Sequence, residues 1–412
     1  MRRIGTTLMV MALLAAAPAH ATNGTRVIGF GPAQSAMGGV GVGFTTDGNA
    51  LASNPAGITE LGQRLDLSVG WLAADVEHQA TGTPTGGAPP SLFTHDGQTV
   101  ASTRGGSPIP ALAFVSPVGR NFSAGVGLFC ISGLGVEYPE NIYLSKAKTD
   151  YLVARLAPGL AYRFGDQLSV GVAVNVMMAQ LVYDIAGNLP PEMGGQVKHS
   201  TATSWGYGAT LGVKFTPVKM LSIGAAYETK GYFQDFSFDV PGGTDELTFD
   251  QPQLATLGAS LRPFDSLVIA ADLQWIDWSD TMGKGLPAYS QRQPTTMPWD
   301  LNWEDQWVLK AGAQLTVLRG LDLRVGYNHG KMPLDPSRAF ENLVFPAVTE
   351  DHYTVGVGWA VTDALSLQAS AIYSPEARIS GANAGPPPGQ MIASYSTSMS
   401  QLQVDGGVSY RF

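Results

Sequence analysis

The chain holds one cysteine, Cys130, in 412 residues. A single thiol excludes an internal disulfide and any cysteine-based metal spacing. Charge is scarce too: 14% of residues are Asp, Glu, Lys or Arg, against roughly 25% in typical soluble domains. Acidic residues outnumber basic ones, 33 to 24, so nucleic acid is excluded as the expected partner. After the N-terminus, no stretch supplies the roughly eighteen apolar residues that a helical membrane span needs. Histidine occurs at six scattered positions (20, 78, 95, 199, 329 and 352). With no HExxH, nucleophile elbow or zinc-ligand spacing around them, neither enzyme chemistry, nor a metal, nor a cofactor is expected.

What is present begins with Arg2 and Arg3, an apolar stretch from Ile4 to Ala17, and the small residues of Ala19-His20-Ala21. That stretch is too short to span a bilayer, so residues 1–21 are predicted to be a secretory signal peptide.

Period-2 alternation then recurs along the chain. Leu168, Val170, Val172, Val174 and Val176 alternate with Ser169, Gly171, Ala173 and Asn175. The final segment sets Leu402, Val404, Val408, Tyr410 and Phe412 against Gln403, Asp405, Ser409 and Arg411. Successive strand side chains point to opposite faces, so each segment has one apolar and one small or polar face. About fourteen such strands are predicted, near 64–78, 107–118, 121–134, 152–165, 167–185, 201–216, 219–236, 250–263, 266–278, 306–318, 321–332, 350–361, 364–377 and 401–412. Tight turns such as Gly165-Asp166-Gln167 and Pro263-Phe264-Asp265 alternate with long loops near 79–106, 135–151, 186–200, 237–249, 279–305, 333–349 and 378–400.

A soluble sandwich also alternates, but the short–long rhythm is that of an even-stranded outer-membrane barrel. The charges Asp272, Lys310, Asp322, Arg324, Asp405 and Arg411 fall opposite the apolar faces, which puts them in a lumen rather than in lipid. Closure is required, because an open sheet edge in hydrocarbon leaves backbone groups unpaired. Trp71, Trp275, Trp278, Trp307, Tyr327, Trp359 and Tyr373 lie near strand ends and are expected at the membrane interfaces, with ordinary packing as the alternative. Tyr410 and Phe412 resemble the terminal signal read by the barrel-assembly machinery. The expected fold is therefore all-β: a transmembrane antiparallel barrel of about 14 strands over residues 64–412, located in a bacterial outer membrane, in contact with outer-membrane lipid and monomeric.

Residues 22–63 do not read as a strand. They are rich in small residues, including Gly38-Gly39-Val40-Gly41-Val42-Gly43, and lack the Lys-Ser/Thr of a phosphate loop. They are either a tail or a plug inside the lumen. The run from Gly48 to Ile58, with Asn54-Pro55-Ala56 at its centre, resembles the Asn-Pro-Ala signature of the FadL/TodX outer-membrane transporters. Its place, just ahead of the first strand, matches as well.

That resemblance implies a hatch closing a fourteen-stranded barrel and a channel for hydrophobic compounds, long-chain fatty acids or hydrocarbons. In the family, substrate is captured among outer loops, moves to an apolar site in the barrel, and leaves sideways where the third strand kinks opposite the hatch signature. In this sequence the third strand carries Gly133-Leu134-Gly135. Gly within a strand marks a bulge or a close backbone approach, so Gly133 and Gly135 are expected at the kink with Asn54, Pro55 and Ala56 as partners.

Departures from the family leave the cargo open. The third loop, Gly187 to Gly194, is short, and the fifth loop, with Pro287, Pro294, Met297, Pro298 and Trp299, is the alternative capture surface. A carboxylate ligand calls for a basic partner, for which Arg155, Arg163 and Lys310 are candidates; lumen salt bridges are their other role. A general diffusion porin, an outer-membrane hydrolase and a structural or adhesive barrel are the rival functions.

Overall fold

The computed structural model describes residues 23–83, 97–143, 145–185, 199–240, 243–283, 288–290, 301–339, 342–381 and 391–412. The expected signal peptide, the third loop from Gly187 to Gly194, and Pro287, Pro294, Met297, Pro298 and Trp299 of the fifth loop lie outside them. Among the described residues, no helix is long and apolar enough to cross a membrane.

Fourteen antiparallel strands form the wall. They are β1 (Arg64–Thr83), β2 (Ser107–Pro117), β3 (Phe122–Tyr143), β4 (Ser145–Phe164), β5 (Leu168–Ile185), β6 (His199–Val218) and β7 (Leu221–Glu228), followed by β8 (Leu254–Phe264), β9 (Leu267–Ile276), β10 (Gln306–Leu318), β11 (Leu321–Gly330), β12 (Asp351–Ala360), β13 (Leu365–Gly381) and β14 (Met391–Arg411). Each pairs with its sequence neighbour, and β14 returns to β1 from Arg64↔Arg411 to Thr83↔Met391, so the sheet closes on itself. The alternation seen in sequence is what the wall uses. Leu65, Leu67, Val69 and Trp71 are exposed outside, while Arg64, Asp66, Ser68 and Leu72 between them are buried inside. The expected lumen charges follow suit: Asp272, Lys310, Arg324 and Asp405 are buried, whereas Arg411, the last strand residue, is exposed at the rim.

Several expectations need correction. Strand replaces the loop expected at 378–400 as far as Gly381 and again from Met391, where β14 begins. The loop expected at 135–151 is strand: β3 runs on to Tyr143 and β4 starts at Ser145. The strand expected at 219–236 stops at Glu228. The chain then pairs Tyr232–Phe233 with β6 and builds a separate hairpin, Phe236–Val240 with Gly243–Leu247, before entering β8. Trp278 is not an interfacial residue but wholly buried, edge-on to Trp303 at 5.0 Å between ring centres. The remaining expected aromatics do face outward, Trp275, Trp307 and Trp359 near strand ends but Trp71 and Tyr373 midway along strands that run further than expected. Trp275 pairs across to Trp307, and Tyr327, Tyr353 and Tyr373 form one row over three strands. At the turn end, Phe412 packs on Phe114 and Tyr410, beside the Phe122–Tyr162–Phe164 stack.

Residues 23–61 run inside the barrel. This segment has too few large side chains to form a core of its own, so its backbone groups are met by inward-facing wall residues. Gly38 N–H donates to Thr354 Oγ1 at 3.0 Å, and Gly48 N–H donates to Asp66 Oδ2 at 2.8 Å. Lys214 Nζ reaches Thr45 Oγ1 and Glu60 Oε2 at 2.9 and 2.8 Å. Gly39, at φ +85°, sits where any Cβ would run into the Ile28 carbonyl, so that turn requires glycine.

Candidate functional site

Asn54-Pro55-Ala56 is a helix start built into the lumen. Asn54 is extended (φ −146°, ψ 97°), as a residue before proline prefers. Its Oδ1 accepts from Ala56 N–H at 3.1 Å and so caps the 3-10 helix Pro55–Glu60, with Pro55 at the first helical position. The Asn54 amide donates to the carbonyls of Val42 (2.9 Å) and Val213 on β6 (3.1 Å). The motif lies so close to the wall that Cβ atoms at Gly171, Gly212 and Gly224, on β5 to β7, would strike Pro55 and Ala56, Asn54, or Val42.

Gly133 and Gly135 lie elsewhere, on β3, and the inner residues hydrogen-bonded to that stretch of the strand are Thr25 to Val27. Val27 N–H donates to the Ile131 carbonyl (3.3 Å), Gly133 N–H to the Thr25 carbonyl (2.9 Å), and Ser132 Oγ to the same Thr25 carbonyl (2.9 Å). The strand is irregular here. Its register against β4 slips between Cys130 and Ser132, leaving Ile131 as an extra residue. Such a bulge flips which side chains face inward: Phe129 faces the lumen before it, and Leu134, Val136 and Tyr138 after it.

The same place breaks the wall. Strand β2 pairs with β3 from Pro117↔Ser123 up to Ala111↔Phe129 and no further, although β2 continues against β1 to Ser107. Beyond the break β2 carries Pro108 and Pro110, neither of which can donate to a ladder. A small apolar cluster of Val27, Leu72, Ile109, Cys130 and Leu152 fills the breach, with Phe30 against it. The glycine pair lies two and four residues past the bulge, in regular register against β4. The two prolines were the unused signal for the strand that parts from β3.

The lumen divides by polarity. Toward the turns, the inner wall carries Arg64, Asp66, Lys214, Arg324 and Asp405 against the inner segment. Toward the loops it becomes apolar, with Phe129, Tyr151, Met177, Leu181, Phe233 and Phe249 in one continuous cluster. The β11–β12 connection adds to that cluster by inserting Phe345, which is wholly buried, stacks on Tyr183 at 6.3 Å and lies tilted against Phe249 at 6.0 Å. Asp47, in the inner segment, is buried beside the turn-side charges. Burial, then the neighbouring Asp66 charge, push its carboxyl up to about 7 against the pull of Arg64 and Arg324.

The three basic candidates have separate fates. Arg155 on β4 is wholly buried, donating to Glu228 Oε2 at 2.7 Å and to the Ala52 carbonyl at 3.0 Å. Arg26, from the inner segment, clasps both oxygens of the same Glu228 at 2.9 and 3.1 Å. Lys310 on β10 donates to the Ile28 carbonyl at 3.3 Å and sits across from Asp272. Arg163 is far from both, half-buried at the turn end, where it lines a polar hollow with Glu60, Arg120 and Asn121. Arg26 and Glu228 were not singled out in sequence, because no local pattern marks a pair 202 positions apart.

A closed, even-stranded sheet with an apolar outer belt is an outer-membrane β-barrel, since closure alone satisfies every strand edge in hydrocarbon. This one carries its own N-terminal segment in the lumen. The sequence matches the outer membrane protein transport protein family (OMPP1/FadL/TodX) over residues 8–387, and the chain belongs to that family. It is thus an outer-membrane protein of a family of transporters for hydrophobic compounds. Outer membrane protein P1 of Haemophilus influenzae is 23% identical, covering 88% of this chain and 89% of the relative. Among solved structures, the Pseudomonas putida toluene transporter TodX shares the fold with a TM-score of 0.73 at 21% identity, over 93% of this chain and 99% of its own. A Pseudomonas aeruginosa FadL homologue gives 0.75 at 18%, over 94% and 100%.

Proposed function

We propose that the protein carries hydrophobic molecules, long-chain fatty acids or hydrocarbons, from the loop side into the apolar upper lumen and releases them sideways into the membrane between β2 and β3. The inner segment acts as the plug that denies them, and water, a straight path to the turn side. The observation that carries this is the break in the β2–β3 ladder beyond Ala111↔Phe129, filled by apolar side chains rather than by paired backbone. A wall that loses its hydrogen bonds must satisfy its edges otherwise, and here the Thr25–Val27 segment bonds the β3 edge from inside. Toluene transport by two of the structural relatives, TodX and the Ralstonia pickettii TbuX, agrees with small hydrophobic cargo.

Replacing Gly133 and Gly135 with valine tests the route. A Cβ at Gly135 would press on the Thr149 carbonyl and on the Arg104–Asp150 ion pair that lies beside the breach. Uptake of a hydrophobic probe by cells expressing the variant is expected to fall several-fold, while the barrel still migrates as a folded species in unheated gel samples. Unchanged uptake would overturn the lateral route.

A further inference from the structure

We propose that Glu228 makes the interior selective for uncharged hydrophobic molecules, by holding the guanidinium groups that the carboxylate of an amphiphile would otherwise bind. The proposal deepens the channel function above and presupposes it.

Arg26 and Arg155 border the apolar upper lumen. Arg155 lies under the rings of Phe30 and Phe129, 5.5 and 6.0 Å from their centres. Arg26 is tied through Gln251 (3.3 Å) to Tyr151, which itself packs on Phe249 at 4.6 Å. Alone, two guanidinium groups beside an apolar compartment would form a strong site for a fatty carboxylate, because charge-assisted pairs in dry surroundings are the tightest hydrogen bonds available.

Here an internal carboxylate already occupies that position. Glu228 ends β7, is 3% exposed, and takes three hydrogen bonds from the two arginines. Of the remaining guanidinium N–H groups, one on Arg155 is met by the Ala52 carbonyl and one on Arg26 by the Gln251 amide oxygen. The Arg155 plane lies on the faces of the two phenylalanines, while Arg155 Nε is buried without a hydrogen-bond partner. To reach the N–H groups that Glu228 holds, an incoming carboxylate would have to evict it and leave it buried without its partners, which is the costly way to break a buried ion pair. An alcohol or an aromatic hydrocarbon has no such competitor.

The test uses full-length protein in lipid nanodiscs at pH 8, with dodecanol and dodecanoate as probes and empty nanodiscs as the blank for lipid partitioning. Wild-type protein is expected to bind dodecanol at least tenfold more tightly than dodecanoate. Glu228→Gln is expected to move the dodecanoate-to-dodecanol affinity ratio at least tenfold toward the carboxylate, and adding Arg155→Met is expected to reverse that gain. Equal wild-type affinities, or a ratio unmoved by Glu228→Gln, would overturn the selectivity and leave the channel standing. Binding of neither probe above the blank would overturn the channel itself and the selectivity with it. Should Glu228→Gln not assemble, the wild-type ranking of the two probes decides.

Discussion

Asp272, on strand β9, accepts a 2.8 Å hydrogen bond from the backbone N–H of Gly41 and thereby ties the barrel wall to the chain inside it. The next N–H, from Val42, reaches the same oxygen at 3.1 Å. A hydrogen bond to a charged acceptor contributes about 1.5–3 kcal/mol. Asp272→Ala is therefore expected to loosen residues 38–44 without dismantling the wall, whose own backbone ladders flank position 272 on both sides. Planar-bilayer recordings check this: the variant should show larger or more frequent openings than the nearly silent parent. A parent with a large steady conductance would instead point to an open porin.

Gly212 offers a sharper probe of the Asn54 motif. A side chain there collides with Asn54 Oδ1 and the Pro55 ring, and overpacking of this kind costs about 1–3 kcal/mol. Gly212→Val is expected to push Asn54 off the Val213 carbonyl and expose residues 50–60 to protease added from the turn side. Protection equal to that of the parent would show that the motif does not need this contact.

Asp47 gives the lumen contents a pH dependence. Its folded-state pKa of about 7 is higher than the ~3.9 of a free aspartate. The folded state therefore favours the protonated form, and the stabilisation is complete below ~3.9 and lost as pH rises through about 7. The inner segment should be held more firmly at pH 5 than at pH 8, read as slower proteolysis or fewer channel openings at the lower pH. Asp47→Asn, which cannot ionise, should flatten that difference.

Phe345 caps the apolar upper lumen. Truncating a buried phenylalanine costs about 3–5 kcal/mol where the site cannot collapse, and here the loss falls on a connection rather than on the wall. Phe345→Ala is expected to leave the barrel folded and speed entry of a hydrophobic probe. Slower uptake would mean that Phe345 belongs to the binding surface itself.

The barrel was legible because its two faces meet different environments. Val172, Val174 and Val176 are exposed outside while Ala173 and Asn175 are buried against the inner segment, so hydrophobic alternation and burial read as one pattern. Toward the loops that contrast disappears. Met177, Ala179 and Leu181 face an apolar lumen, and with both faces apolar the alternation no longer marks where a strand ends. That is why the extension of β3 to Tyr143, the burial of Trp278 and the insertion of Phe345 escaped a reading of periodicity. The candidate site was half legible. Gly133 and Gly135 lie just past the bulge at Ile131, themselves in regular register against β4, and Arg155 was picked out as a lumen residue. Its partner Glu228, 73 positions away, and the Thr25–Val27 contact with β3 are long-range pairings that one sequence does not display.

The seam between β1 and β14 also fixes an order of events during assembly. Residue 63 enters β1 at the turn end, and its carbonyl accepts a hydrogen bond from Phe412 N–H at 3.1 Å, so the two ends of the wall are joined beside the point where the inner segment leaves. That segment bonds to β1 and to each strand from β3 to β12. A chain attached around most of the inner circumference is most readily enclosed while the sheet is still an open, curved strip. Zipping of the seam then comes last and converts a docking reaction into an entrapment, after which the contents can shift or loosen but no longer exchange with a second copy.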